Sequence, residues 1–270
     1  MLAARIISAL VVLVIIIPAL IWGGVGGVAL LVALFASIGA WEMTSNLPSL
    51  SRLPSKIMAI SLGPVIVILF YLTPIGYVPA IMALFPLLAV LLHLFCFKVI
   101  ENTIDSVTGV IFVGGYIVIP LAHAVLLSRI NESNVWIFFV LVTVCLSDVG
   151  AFFAGKYKGK THFSKTVSPN KTVEGLGGGL AGALLGMLFF KLFVPGMPPL
   201  LILLEATVLL SITGPLGDLC ASAIKRRLGI KDFGSIMPGH GGIMDRADSL
   251  IPSIPIFYYF LVASGYGLVK

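Results

Sequence analysis

Charge is what this 270-residue sequence has least of: Asp, Glu, Lys and Arg together make up 10% of it, against 59% for hydrophobic residues. An ordinary soluble domain carries about a quarter charged residues, so that class is excluded. Cysteine is scarce as well. Cys96, Cys145 and Cys220 are an odd number and all lie inside apolar runs, so no disulfide or zinc framework follows from them. A removable leader is not expected either. The run after Arg5, IISALVVLVIIIPALIW, is too long for a signal-peptide core and further spans follow at once, so it reads as a first helix.

What the sequence does have is hydrophobic length. Apolar runs of roughly 18 or more residues recur throughout, which is the mark of transmembrane helices. The expected fold class is all-α, a polytopic integral membrane protein of about nine spans. Approximate limits are 6–22, 26–44, 57–73, 78–98, 107–128, 135–155, 172–194, 200–224 and 249–268. Residues 1–133 form an N-terminal scaffold of about five spans, and 134–270 a catalytic half of about four, with connecting loops 156–171 and 225–248. Alternating the spans puts Arg5, Arg52, Lys56, Lys98 and every basic residue of those two loops on one side. Arg129, Lys191 and Lys270 fall on the other, so 14 of 17 basic residues share a face. By the positive-inside rule that face is cytoplasmic. The opposite loops, GGVGG, TPIGYVP and VPGMPP, are short and uncharged.

The first half is poor in chemistry. Glu42, Glu101 and Asp105 fall near helix ends, where a solvated role is expected. His93 and His123 lie within spans and read as hydrogen-bonded packing histidines. Pro18, Pro64 and Pro120 are expected to kink their helices, which bundles tolerate. The seventh span opens EGLGGGLAGALLG, where Gly175, Gly178, Gly179, Gly182 and Gly186 make small-xxx-small pairs suited to close helix approach.

Ionic chemistry gathers in the second half. Asp148 lies eight residues before Lys156, hence roughly 12 Å below the helix end, and Asp218 lies seven before Lys225, about 10 Å below it. Two carboxylates at such depth are costly unless paired or metal-bound. Glu174 opens the seventh span, and Asp245 and Asp248 precede the ninth. Asp218, Ser222 and Lys225 share one helix face, and Gly214-Pro215 just before them is expected to break or kink that helix. A divalent cation would satisfy these acids together, and oxygen-only ligands favour Mg²⁺, with a second cation possible.

The basic residues complete this picture. GKYKGKTHFSKTVSPNKTVEG carries Lys156, Lys158, Lys160, Lys165 and Lys171, with Ser168, Asn170 and Thr172 at the entrance to the next helix. Lys, Ser and Thr at a helix entrance suit phosphate, although some of these lysines contact anionic lipid only. Gly155-x-x-x-Gly159-Lys160-Thr161 is one residue short of a Walker A loop and has no preceding strand, so that reading is rejected. Near the C-terminus, KRRLGIKDFGSIMPGHGGIMDRADSL gathers Lys225, Arg226, Lys231, His240 and Arg246 around a Pro-Gly-His-Gly-Gly turn. Such a turn lets backbone fold closely around phosphates. Submerged acids that want Mg²⁺, ringed by cations, suit a polyphosphate.

At these residues the sequence resembles the phosphatidate cytidylyltransferases. The family signature, Ser-x-x-Lys-Arg, four residues, Lys-Asp, then Pro-Gly-His-Gly-Gly-x-x-Asp-Arg-x-Asp, stands here as Ser222, Lys225, Arg226, Lys231, Asp232, Pro238 to Gly242, Asp245, Arg246 and Asp248. SDVGAFFAGK with Asp148, and SPNKTVEG with Ser168, Lys171, Thr172 and Glu174, match an upstream block. The first five spans match only as hydrophobic runs. The resemblance implies transfer of a cytidylyl group from CTP to phosphatidic acid, with Mg²⁺, in a cell-membrane homodimer whose active site faces the cytoplasm; no nucleic-acid partner is expected. It implies Asp218 and Asp245 as metal ligands, with Asp148, Glu174 and Asp248 as further ligands or support. Lys225 and Arg226 join Asp218 and Asp245 as catalytic groups. Lys165, Ser168, Asn170, Lys171, Thr172, Ser222, Lys231, His240, Gly241, Gly242 and Arg246 are the expected nucleotide contacts. A CTP-dependent lipid-alcohol kinase and an ion-coupled transporter are the alternatives.

Overall fold

A computed structural model describes residues 2–50, 53–97, 103–130, 134–164, 167–237, 239 and 241–267. The described chain is mainly helical, in the order α1 (Leu2–Trp22), α2 (Gly24–Asn46), α3 (Leu53–Leu72), α4 (Val78–Phe97), α5 (Thr103–Val113) and α6 (Ile119–Ile130). It continues through α7 (Val135–Lys158), a hairpin of β1 (His162–Ser164) and β2 (Ser168–Thr172), α8 (Val173–Phe193), α9 (Leu200–Leu228), a short α10 (Met244–Ala247) and α11 (Leu250–Ala263). Among the described residues seven helical segments are long and apolar enough to cross a membrane. Leu13–Trp22 within α1 and Leu250–Ala263 are shorter apolar stretches. At about 1.5 Å per residue a 14-residue α11 covers only some 20 Å of a hydrocarbon core near 30 Å thick. Among the described residues the count is therefore seven against the nine expected, with α11 too short to make a full span.

The chain divides into two compact units, Met1–Ser133 with Asp232–Arg246, and Asn134–Lys231 with Ala247–Lys270. In the first, α2, α3 and the α5–α6 pair enclose Ala36, Ala40, Met43, Phe70, Ile117 and Leu126. A π-helical turn, Gly114–Val118, joins α5 to α6. It immediately precedes Pro120, which has no N–H to return to the carbonyl four residues earlier, and the ladder widens where that bond is lost. Arg129 turns back to α3, donating from Nη1 to the carbonyls of Phe70 at 3.0 Å and Thr73 at 2.7 Å. His123 is a buried packing histidine whose Nδ1 lies 2.8 Å from the Ile119 carbonyl.

The second unit is built on a seam between α7 and α8. A Cβ on Gly182 would overlap the Leu146 carbonyl oxygen, and one on Gly178 would stand 2.6 Å from the carbonyl oxygen of Gly150. Only glycine admits backbones this close, and dispersion between them replaces the driving force that lipid cannot supply. Away from the seam, Trp136, Phe139, Phe190 and Phe257 form an aromatic cluster, with Phe139 stacked on Phe257 at 5.5 Å. Of the break or kink expected in α9, the break does not occur, and the helix continues past Pro215. The lost N–H bond is a local defect that surrounding helices absorb without breaking the rod. The 156–171 stretch differs too: α7 persists to Lys158, and an antiparallel hairpin pairs His162 with Thr172 and Ser164 with Ser168.

Replacing Gly182 with Leu is expected to wreck the seam, lowering the melting temperature in detergent by roughly 10 °C or abolishing monodisperse protein. Gly177, beside which a Cβ meets nothing within 4 Å, should accept Leu with a change of about 2 °C or less. Equal melting temperatures for the two variants, read by a thermal-shift assay, would contradict the seam.

Candidate active site

Helix α9 exposes its chemistry over its last three turns. Asp218 lies there with its side chain 38% exposed, and Lys171, from the end of β2, meets its Oδ2 at 2.7 Å. The same ammonium donates to the Pro215 carbonyl at 2.8 Å. Lys171 is thus held by one side chain and one main-chain oxygen of α9. Gly217 sets what lies beside it, because a Cβ there would overlap the Asp248 carbonyl oxygen and stand 2.7 Å from Pro252. Its absence lets the Asp248–Pro252 segment lie directly on α9. Asp148 of α7 joins this group, accepting from Ser249 Oγ at a long 3.5 Å.

Asp248 is the acid under most pressure. It is buried, its Oδ1 accepts the Ser249 N–H at 2.8 Å, and its pKa is pushed up to about 7. Burial is the main cause, and the carboxylates of Asp218 and Asp148 add to it, while the Ser249 bond and the positive charge of Lys225 oppose it. Three of the expected acids, Asp148, Asp218 and Asp248, therefore sense one another, together with Lys171 and Lys225. Ser222, one turn beyond Asp218, is half-buried, and Arg226 and Lys231 are exposed. Gly229, in the left-handed region at φ 68°, ends α9, and its N–H donates to the Arg226 carbonyl.

The hairpin employs several expected site residues in its own construction. Thr172 caps α8, its Oγ1 accepting the Gly175 N–H at 3.1 Å. Glu174 reaches back to the backbone N–H groups of Lys160 and Thr161 at 3.1 Å through Oε2, and takes the Thr161 hydroxyl at 3.0 Å through Oε1. It serves the turn between α7 and β1. Ser168 pairs with Ser164 in the hairpin. Lys165 lies outside the described residues, and so does the side chain of Asn170.

In the first unit, the Asp232–Arg246 segment is folded around carboxylates. Asp245, buried, accepts the Phe233 N–H at 2.8 Å and the Gly242 N–H at 2.9 Å, both on Oδ2. Gly241 sits at φ 82°, and its carbonyl takes the Met237 N–H at 2.9 Å. A Cβ on Gly241 would come 2.9 Å from Asp245 Oδ2 and 3.3 Å from Asp232 Oδ1. Asp232 and Arg246 are exposed; Pro238 and His240 lie outside the described residues. Glu42 corrects the sequence reading. Instead of being solvated at a helix end it is 1% exposed, and its two oxygens accept the N–H groups of Ile243 at 3.0 Å and Met244 at 2.8 Å. The only sequence signal was an acid in an apolar span without a neighbouring base. Asp105, by contrast, is exposed, and Glu101 lies outside the described residues.

Among the described residues no three of His, Cys, Asp and Glu stand as a ready-made metal cage. The elevated pKa of Asp248 has a consequence for stability. An acid whose folded pKa exceeds its ordinary value costs nothing below that ordinary value and progressively more as pH rises from about 4 to about 7. In EDTA, the melting temperature should fall from pH 5 to pH 8, and Asp248→Asn should flatten that fall and melt higher than the parent at pH 8. Parallel melting curves for parent and variant across this range would refute it.

A model of the cytidylyltransferase family matches residues 3–264. The phosphatidate cytidylyltransferase of Bacillus subtilis is 40% identical over 180 residues, covering 66% of this chain and 66% of that protein. That of Staphylococcus saprophyticus is 43% identical over 132 residues, 49% of this chain and 51% of that one. The Staphylococcus aureus protein is 42% identical over 134 residues, 50% and 52% of the two chains. Matching thus spans just under two thirds of the first relative and about half of the others. With the family model running over nearly its whole length, the chain belongs to the cytidylyltransferase family.

Proposed function

We propose that the protein transfers the cytidylyl group of CTP to phosphatidic acid, giving CDP-diacylglycerol and pyrophosphate. The observation that carries this reading is the group of Asp148, Asp218 and Asp248 with Lys171 and Lys225, in a protein whose relatives are named for that reaction. A phosphate oxygen of the lipid attacks the α-phosphorus of CTP, the bond to the bridging oxygen breaks, and pyrophosphate leaves with that electron pair. The attacking phosphate is already an anion, so no strong general base is required. The protein's task is to gather anions and spread their charge.

Lys171 is suited to this task, because one ammonium already bridges Asp218 and a main-chain carbonyl and can exchange either for a phosphate oxygen. Lys225 and the exposed Arg226 and Lys231 hold the triphosphate from the end of α9. An all-carboxylate donor set fits Mg²⁺, which is usually held by one or two carboxylates, substrate phosphates and water, without a protein cage. Asp218 would hold it, with Asp148 or Asp248 beside it. When bound, it supplies charge neutralisation at the phosphates. The basic face of the spans supports an active site open to the cytoplasm, and the family resemblance supports a homodimer.

Purified protein given phosphatidic acid, Mg²⁺ and CTP labelled at the α or γ phosphate should carry the α label into lipid and release the γ label as pyrophosphate. Entry of γ label into lipid without α label would identify a lipid kinase and reject the reading. Asp218→Asn should lower turnover by at least about a hundredfold while still folding. In a thermal-shift assay at pH 8, Mg²⁺ should stabilise the parent and stabilise Asp218→Asn less; equal shifts would reject Asp218 as a ligand.

A further inference from the structure

The most demanding group outside the acid cluster is Glu42, a carboxylate in an apolar helix whose only partners among the described residues are main-chain N–H groups. Both oxygens are committed, Oε1 to Ile243 and Oε2 to Met244. The fit around it is tight. A Cβ on Gly234 or on Gly242 would overlap the Glu42 carboxylate, so the segment presses against this side chain from two points. Asn46, one turn later on the same face of α2, donates to the Phe233 carbonyl at 2.8 Å and to the Glu42 carbonyl at 2.8 Å. Asp245 takes the N–H groups of Phe233 and Gly242. Four N–H groups at 233, 242, 243 and 244 therefore point at two carboxylates, and one carbonyl points at Asn46.

We propose that Glu42 is a positioning residue for cytidylyl transfer: it holds the Gly242–Met244 backbone and so aims Asp245 and Arg246, which follow directly, without itself touching substrate. This rests on the function proposed above. Only an acid can do this. A glutamine has one acceptor and one donor in place of two acceptors, so one of the two N–H groups would face another N–H. An aspartate is a methylene too short to reach both. Misplacement of a group bearing on the reaction by a fraction of an ångström to an ångström costs up to about a hundredfold in rate, whereas binding of a triphosphate, spread over many cations, is less sensitive to one aim.

The test uses full-length protein in detergent and compares Glu42→Gln, Glu42→Ala, Gly234→Ala and the double variant E42A/G234A. Hydrogen exchange should rise in the segment 241–246 of Glu42→Gln and stay at parental rates elsewhere. Its kcat should fall roughly tenfold or more, with the KM for CTP changed less than about twofold. The methyl of Gly234→Ala displaces Glu42, so this variant should show the same split, and it should add nothing in the Glu42→Ala background, where there is room for it. Exchange that rises throughout, with loss of folded protein in both Glu42→Gln and Gly234→Ala, would make Glu42 a purely structural residue and overturn the proposal. Unchanged exchange at 241–246, or an unchanged kcat, would overturn it as well. A parent protein that makes no CDP-lipid would instead overturn the function itself and the positioning role with it, while the exchange data would still establish the clasp.

Discussion

A carboxylate carried into an apolar helical protein has to find compensation, because burying an unpaired charge costs several kcal/mol. The described structure answers this requirement in two ways, and they separate the acids by role. Glu42 and Asp245 are compensated by main-chain N–H groups. Those partners cannot leave without refolding the segment, so the acids act as staples. Asp218 is compensated by Lys171, a flexible side chain 18% exposed, and such a partner can be exchanged. Asp248 is incompletely compensated, with one N–H bond and other acids pressing on it. Acids whose compensation is incomplete or exchangeable are the ones free to take a cation, and an exchanged lysine is free to take a phosphate.

Glycine controls where these acids can stand. The α7–α8 seam exists because Gly150, Gly178 and Gly182 put main chain against main chain, and this fixes the rotation of α7 that carries Asp148. Gly217 does the same for α9 and the Asp248–Pro252 segment. Each close approach replaces a side chain by backbone contact, so Asp148 and Asp218 are carried by closely packed helices, while Asp248 stands in the turn that leads into α11. Rigid placement matters for a reaction in which the protein's contribution is the prior arrangement of charge.

Much of this was legible in the sequence, for definite reasons. Long apolar runs set the helices, the small-xxx-small spacing set the α8 face, and the depth of Asp148 and Asp218 marked them as compensated acids. Other features were hidden because they depend on partners remote in the chain. Nothing near Glu42 forecasts that residues 243 and 244 will supply its hydrogen bonds. Thr172 was expected to contact phosphate and Glu174 to hold or support a metal; that Thr172 caps α8 and Glu174 braces the turn before β1 depends on the hairpin, which the sequence did not announce. The Gly214-Pro215 pair suggested a broken or kinked helix, and a single missing N–H bond was too small a defect to interrupt α9. The short α11 was obscured because apolar length alone does not reveal where a helix stops.

The contrast between Asp218 and Asp245 bears on which of them carries charge chemistry. Both belong to the signature, and sequence alone ranks them together. In the fold, Oδ2 of Asp245 accepts two N–H groups, which draws electron density from the carboxylate and weakens it as a ligand for a hard cation. Asp218 gives its Oδ2 to an ammonium, which competes for the same place that a divalent cation would take and yields to a higher charge density. Asp218 is therefore the better placed of the two to take a cation in exchange for its partner, while Asp245 also pins the Phe233 and Gly242 backbone. Loss of activity on replacing Asp245 would then reflect a loop released from its staple as much as a ligand removed. The same substitution in one signature can thus report two different physical events.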